Sequence, residues 1–161
     1  MELGKTALKK ILDFITTDTE ITVTEDKERV LFDVRGGNSA VLIGKRGQTL
    51  DAIQYLVEKI MNKNSEKRVR VQVDIEGYLD SRQTRLRELA SRLSQKAKRT
   101  GKPVTVGQLN SHDRRIIHLT LRNDNSVRTQ SMGDGPLRKL VIFPKKNQRR
   151  RRPQKAGQSA E

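Results

Sequence analysis

Two glycines, Gly44 and Gly47, enclose the basic pair Lys45 and Arg46, and this loop limits most narrowly what the chain can fold into. The apolar residues 41–43 precede the loop, and a segment with helical spacing follows it. Glycine reaches positive φ at little cost and has no Cβ, so the backbone here can approach a ligand closely. The free N–H groups and the dipole of a helix N-terminus favour an anion. The stretch therefore predicts an anion-binding turn.

The segments around the loop have the periods of a helix, a hairpin, a second helix and a strand. Apolar residues show helical spacing in 5–16 and 50–61, and they alternate in 21–34 and 67–75. A short turn, 39–43, lies directly before the loop. The helical spacing predicts these core-facing side chains: Leu8, Ile11, Leu12, Ile15, Leu50, Ile53, Leu56, Val57, Ile60 and Met61.

A second set of elements begins after the break at Gly77. The patterns predict a long helix over 78–99, a short strand over 104–106, a helix over 111–121 and two strands joined at 133–135. Four basic residues fall on one flank of the long helix, and we call them the basic stripe: Arg85, Arg92, Lys96 and Arg99. We expect an α+β protein with domains at 1–76 and 77–146, followed by a disordered basic tail at 147–161.

Charge and composition narrow the class of partner. The chain has 161 residues, 34 Lys and Arg against 19 Asp and Glu, and a net charge of +15, which favours a polyanion such as nucleic acid. There is no cysteine, so disulfides and thiolate chemistry are excluded. The sequence shows no signal peptide and no apolar run of membrane-spanning length, so we expect a cytoplasmic protein. Aromatic residues make up only 3%, which favours backbone and groove contacts over base stacking.

The glycine loop does not match the phosphate-binding loop of nucleotidases. That pattern needs a glycine at position 39 and a hydroxyl residue at 46, where this chain has Ser39 and Arg46. The loop resembles instead the Gly-x-x-Gly clamp of KH domains, and the element order αββααβ is similar to their bacterial type II arrangement. The resemblance implies that Ile43, Gly44, Lys45, Arg46 and Gly47 contact a nucleic-acid strand. Leu50 and Ile53 are better interpreted as core.

A second motif lies in the predicted helix 111–121. Arg114 and His118 are four residues apart and share one border of its buried face. Arginine binds phosphate through paired hydrogen bonds, and imidazole donates a hydrogen bond or stacks on a base. Taken with the basic helix before it and the sequence 131–146 after it, the motif resembles the small domain named for Arg-x-x-x-His. That resemblance implies a surface for single strands.

A KH domain followed by an Arg-x-x-x-His domain resembles the bacterial Jag family, the SpoIIIJ-associated proteins also called KhpB or EloR. The stretches IGKRGQTLDAIQYL, DRRIIH and GDGPLRKLVIFPK carry the resemblance. It implies a non-catalytic protein that binds single-stranded RNA, as a post-transcriptional regulator or RNA chaperone linked to cell elongation, cell shape and envelope synthesis. Typical members have an additional N-terminal Jag domain, which we expect this chain to lack.

Three alternatives stay open at this point. The chain could assemble with a small KH-only partner protein, as the resemblance implies, or it could bind single-stranded DNA. An enzyme is the third alternative, but the sequence offers no carboxylate cluster for a metal and no plausible base beyond His118. We expect no cofactor, no metal and no membrane insertion.

Overall fold

The fold is described from a computed structural model, which covers residues 2–26, 29–63, 65 and 67–145. These residues divide into two compact units, with the division inside one long helix between Arg82 and Gln83. The α-helices and strands in chain order are α1 (Glu2–Asp13), β1 (Thr19–Asp26), β2 (Arg29–Gly36), α2 (Ser39–Ile43), α3 (Gln48–Asn62), β3 (Arg70–Ile75), α4 (Tyr78–Thr100), β4 (Val104–Leu109), α5 (Ser111–Leu121), β5 (Val127–Met132) and β6 (Arg138–Pro144). A single 3-10 turn, Lys45–Gly47, joins α2 to α3.

The first unit is a three-stranded sheet with helices on one face. The strand order is β1-β2-β3, with β1 antiparallel and β3 parallel to the central strand. Alternate residues of β2 and β3 face the helices because side chains alternate along a strand. Phe32, Val34 and Val73 pack there against Leu8 and Val57, and all five are fully buried.

The second unit is another three-stranded sheet, in the order β4-β6-β5 with both pairs antiparallel. Its core holds one face of α4 and one face of α5 against one face of the sheet. Leu86 and Ala90 of α4, Ile117 of α5, and Leu140 and Ile142 of β6 are buried there together. An irregularity between Val106 and Gln108 shifts the register of β4 against β6.

The predicted α+β class and the order of elements are confirmed. The helix predicted over 111–121 has the observed bounds, and the predicted turn at 39–43 is the five-residue helix α2. The strand predicted over 67–75 begins only at Arg70, and the one predicted over 104–106 continues to Leu109. The predicted disorder of 147–161 lies outside the described residues.

Three predicted core positions are wrong. Ile15 follows the end of α1 and is 38% exposed, because the chain turns where the N–H groups of Ile15 and Thr16 both donate to the Leu12 carbonyl oxygen. Leu56 and Ile60 of α3 are 49% and 36% exposed. The buried strip of α3 runs through Leu50, Ile53 and Val57, so the apolar face in the sequence is wider than the surface that covers it.

Candidate nucleic-acid interface

The glycine loop leaves α2 at Gly44 and enters α3 at Gly47. Gly44 has φ 69° and ψ −174°, a region open essentially to glycine alone, and its N–H donates to the Ala40 carbonyl oxygen at 2.9 Å. Gly47 has φ 82°, and its N–H donates to the Gly44 carbonyl oxygen at 3.3 Å. Arg46, between them, also has a positive φ of 58°. These three positive φ angles make the loop tight and fix its path.

The charged residues of the loop are more exposed to solvent than its uncharged residues. Lys45 and Arg46 are exposed, whereas Ile43 and Gly44 are half-buried and Gly47 is buried. A Cβ added at Gly47 would lie 3.2 Å from the ring and hydroxyl of Tyr78. Gly47 therefore supports the turn from beneath, and the two cationic side chains form its outer surface.

The loop places these charges at a helix N-terminus that none of the described side chains caps. Gly47 is the N-cap residue of α3, and no side-chain oxygen at this position accepts from the first N–H groups of the helix. The N–H of Gln48, the first of them, donates instead to the Lys45 carbonyl oxygen. Asp51 in the first turn opposes part of the positive potential. Leu50 and Ile53 are 2% and 3% exposed, which confirms their interpretation as core.

The second motif is built on α5. The Asn110 side chain caps this helix, because its Oδ1 accepts from the N–H of Asp113 at 2.8 Å. The backbone carbonyl oxygen of Asn110 accepts from Nε of Arg114 at 3.3 Å. His118 lies one turn further along and is exposed, and its Nδ1 shares a hydrogen bond of 2.8 Å with the Thr129 hydroxyl on β5. Within the described part of the chain, each of the two side chains is therefore held through one nitrogen, and we expect its other nitrogens to face a ligand.

Neither Asn110 nor Thr129 is among the site residues predicted from the sequence. Asn110 carried a local signal, since an asparagine directly before a helical pattern is a typical N-cap. Thr129 carried none, because it meets His118 only through the packing of β5 against α5.

The basic stripe lies on α4 as predicted, with all four side chains exposed. The stripe and the Arg114–His118 pair belong to the second unit, and the glycine loop belongs to the first.

Net charge divides unequally between the two units. Up to Arg82 the sequence has 14 Lys and Arg and 14 Asp and Glu, so the first unit carries no net charge. From Gln83 onward it has 20 against 5, which accounts for the whole charge of +15. The glycine loop is therefore a local positive site on a neutral unit, whereas the sequence from Gln83 onward is strongly basic.

Metal-binding clusters and membrane-spanning helices are both absent from the part of the chain that the structure describes. No group of three His, Asp or Glu side chains there is arranged to hold a metal ion. None of the described helices combines the length and the apolar character that crossing a membrane requires.

Fold and site together define a protein with a KH module followed by a module of the Arg-x-x-x-His type. The KH domain model of KhpA and KhpB matches residues 2–73, and the model of the Arg-x-x-x-His domain matches residues 84–144. The chain is 39% identical to the RNA-binding protein KhpB of Clostridium symbiosum, over 89% of this chain and 65% of that protein. It is 35% identical to KhpB of Bacillus subtilis strain 168, over 91% of this chain and 71% of the relative.

A third relative, KhpB of Lactiplantibacillus plantarum, is 31% identical over 89% of this chain and 47% of its own length. The chain thus spans about two thirds of the first two relatives and about half of the third. It belongs to the KhpB family, also called Jag or EloR.

Proposed function

We propose that the chain binds single-stranded RNA without catalysis, through the glycine loop in one module and the Arg114–His118 surface in the other. The observation that carries the proposal is the exposed pair Lys45 and Arg46 at the uncapped N-terminus of α3. Backbone N–H groups and two cations meet there, which suits a phosphate of a strand that passes over the loop. The relatives' name, RNA-binding protein KhpB, supports the same ligand.

The proposed interface includes the rest of the predicted set. Ile43 and Gly44 line the loop from inside, Gly47 supports it, and the basic stripe attracts the strand without regard to sequence. We place the KH module at 1–76, the Arg-x-x-x-His module at 77–146 and a basic tail at 147–161. Two weak sites on one chain raise the overall affinity through effective concentration.

The direct test reverses the charge of the loop. A Lys45→Asp, Arg46→Asp variant should bind a single-stranded oligoribonucleotide at least about tenfold more weakly in fluorescence anisotropy, and circular dichroism should stay native. The matched control is Arg29→Asp, Arg35→Asp, which changes the charge equally at exposed positions of the same unit. Equal losses in the two variants would remove the loop from the mechanism. The same assay with single-stranded DNA distinguishes the two nucleic acids.

Assembly with a small KH-only protein is a second candidate, and a specific observation favours it. Tyr55, Leu56 and Ile60 of α3 are exposed by 60%, 49% and 36%, an apolar surface of the kind that protein interfaces use. Light scattering after size exclusion, with and without nuclease, separates the candidates, because a protein partner survives removal of RNA.

We also propose a cytoplasmic, post-transcriptional role linked to cell elongation, cell shape and envelope synthesis, as the family resemblance implies. Crosslinking in cells, followed by sequencing of the bound RNA, would identify the targets. Recovery of no RNA above background would contradict this role.

A further inference from the structure

The outer face of the second sheet carries a basic and apolar surface that none of the described helices of its unit covers. Inward-facing residues of its strands, such as Val106, Val127 and Leu140, belong to the core with α4 and α5. Their neighbours in sequence therefore face the other way. Six of these outward residues form directly paired rows on β5 and β6: Arg128 with Phe143, Gln130 with Val141, and Met132 with Lys139. Five of the six are exposed or half-buried, whereas Val141 in the central row is only 7% exposed.

An arginine and an aromatic ring lie together at the end of this face. The guanidinium carbon of Arg128 is 4.5 Å from the centroid of the Phe143 ring. Arg128 is exposed and Phe143 is half-buried. A guanidinium over a ring is a cation–π contact, and the pair offers a surface on which a nucleic-acid base stacks. Lys139 lies further along the same face, as a cation for the backbone of the strand.

The charge of the face selects the class of ligand. The three strands of this sheet contain three Lys and Arg and no Asp or Glu. A face with cations, glutamine and an aromatic ring, and without carboxylates, is complementary to a polyanion whose bases are unpaired.

The face is also continuous with the Arg114–His118 surface. β5 is an edge strand of the sheet, and Thr129, which bonds to His118, lies between Arg128 and Gln130 in that strand. The Arg114–His118 surface and the outer face therefore lie on the two sides of β5. A ligand bound at His118 reaches the outer face by passing over this edge strand.

We propose that the outer face of the β4-β6-β5 sheet is an additional site for single-stranded RNA, with one base stacked on Arg128 and Phe143 and a phosphate near Lys139. The inference rests on the proposed function for its ligand, but it assigns a surface outside both motifs. It also revises the expectation, drawn from the scarcity of aromatic residues, that backbone and groove contacts take the place of stacking.

Photo-crosslinking and paired variants of the full chain test the site. Oligouridylate with 4-thiouridine, irradiated in complex with the wild-type protein and digested with trypsin, should modify the peptide 140–145, which contains Phe143. An Arg128→Glu, Lys139→Glu variant should bind the oligomer at least about fivefold more weakly than the control Arg87→Glu, Lys102→Glu. The control makes the same charge change at exposed positions of the same unit that lie outside the three strands.

Substitutions of the ring separate stacking from charge. Phe143→Leu should weaken binding about fivefold, and Phe143→Tyr, which keeps the ring, should restore it. Unchanged thermal unfolding shows that each variant is folded. Equal affinities of the sheet variant and its control overturn the inference and leave the proposed function standing. Failure of the wild-type chain to bind the oligomer at low salt overturns the proposed function itself.

Discussion

At the scale of single residues, the glycine loop depends on two positions for different reasons. Gly44 needs a backbone conformation that other residues avoid, and its missing Cβ also leaves room for Thr49. Gly47 needs a left-handed conformation and lies against Tyr78. Neither glycine offers a charge, so their part is to place Lys45 and Arg46 on the surface.

We predict that Gly44→Ala destabilises the first unit by about 2–4 kcal/mol, because it adds a steric overlap to an unfavourable φ. The added Cβ would overlap the Thr49 hydroxyl and lie 3.1 Å from the Thr49 backbone nitrogen. Urea unfolding followed by circular dichroism measures the loss.

The matched control for this substitution is Gly77→Ala in the same unit. Gly77 also has a positive φ, of 67°, but nothing among the described residues lies within 4 Å of the added Cβ. Gly77→Ala should lower the free energy of unfolding only by the backbone strain, about 1–2 kcal/mol. If the two variants lose the same stability, the contact with Thr49 contributes nothing.

At the scale of elements, Asp124 joins α4 to the turn between α5 and β5. Its carboxylate accepts from Nζ of Lys98 at 2.5 Å, from the buried Ser94 hydroxyl at 3.0 Å and from the N–H of Ser126 at 3.1 Å. The Lys98 hydrogen bond is the main reason that the pKa of Asp124 lies below its ordinary value, and partial burial opposes this shift. The ionised form is the one that holds these elements together.

We predict that Asp124→Asn lowers the free energy of unfolding by about 1 kcal/mol at pH 7, a modest value because Lys98 is 38% exposed. A pKa that is lower in the folded state gives stability above the unfolded pKa of about 3.9, and this stability is lost as the pH falls through the folded value. The gap between wild type and variant should therefore stay constant from pH 7 to about 4.5 and close below about 4. Urea titrations at stepped pH check this.

Asp134→Asn, at an exposed turn, serves as the control for the same chemical change. A gap for Asp124→Asn that persists to the lowest pH at which the chain is folded would show that the ionised carboxylate is not the source of the stability.

At the scale of the whole molecule, the division of charge assigns different parts to the two units. We expect a neutral first unit to bind phosphate only where its loop and helix end provide a local field. The sequence of the second unit carries the entire net charge, so we expect this unit to attract polyanions without regard to their sequence. We expect the salt dependence of binding to come mainly from the second unit.

We predict that replacing the four residues of the basic stripe with glutamine lowers the slope of log affinity against log salt by up to about 3, since each phosphate contact on a single strand contributes about 0.7. Anisotropy titrations from low to moderate salt measure the slope. The control replaces four exposed lysines of the first unit with glutamine and should leave this slope nearly unchanged. These lysines are Lys5, Lys10, Lys63 and Lys67. Equal effects of the two sets would mean that the stripe makes no phosphate contacts of its own.

Local patterns in the sequence were enough to predict the helices and strands and to locate both motifs. Helical and alternating periods predicted the long helices and the strands, because these periods follow from backbone geometry within a few residues. The Gly-x-x-Gly and Arg-x-x-x-His spacings likewise lie within single turns of the chain, so the residues that carry charge could be named beforehand.

Tertiary packing alone decided which side chains remain on the surface and what they meet. Leu56 and Ile60 have the spacing of core residues but stay exposed, and Gly47 is buried beneath Tyr78, because coverage depends on elements distant in sequence. The contacts of His118 with Thr129 and of Arg128 with Phe143 arise from the pairing of strands and helices. Such contacts leave no periodic signal in the sequence, since they depend on how the elements pack rather than on which elements form.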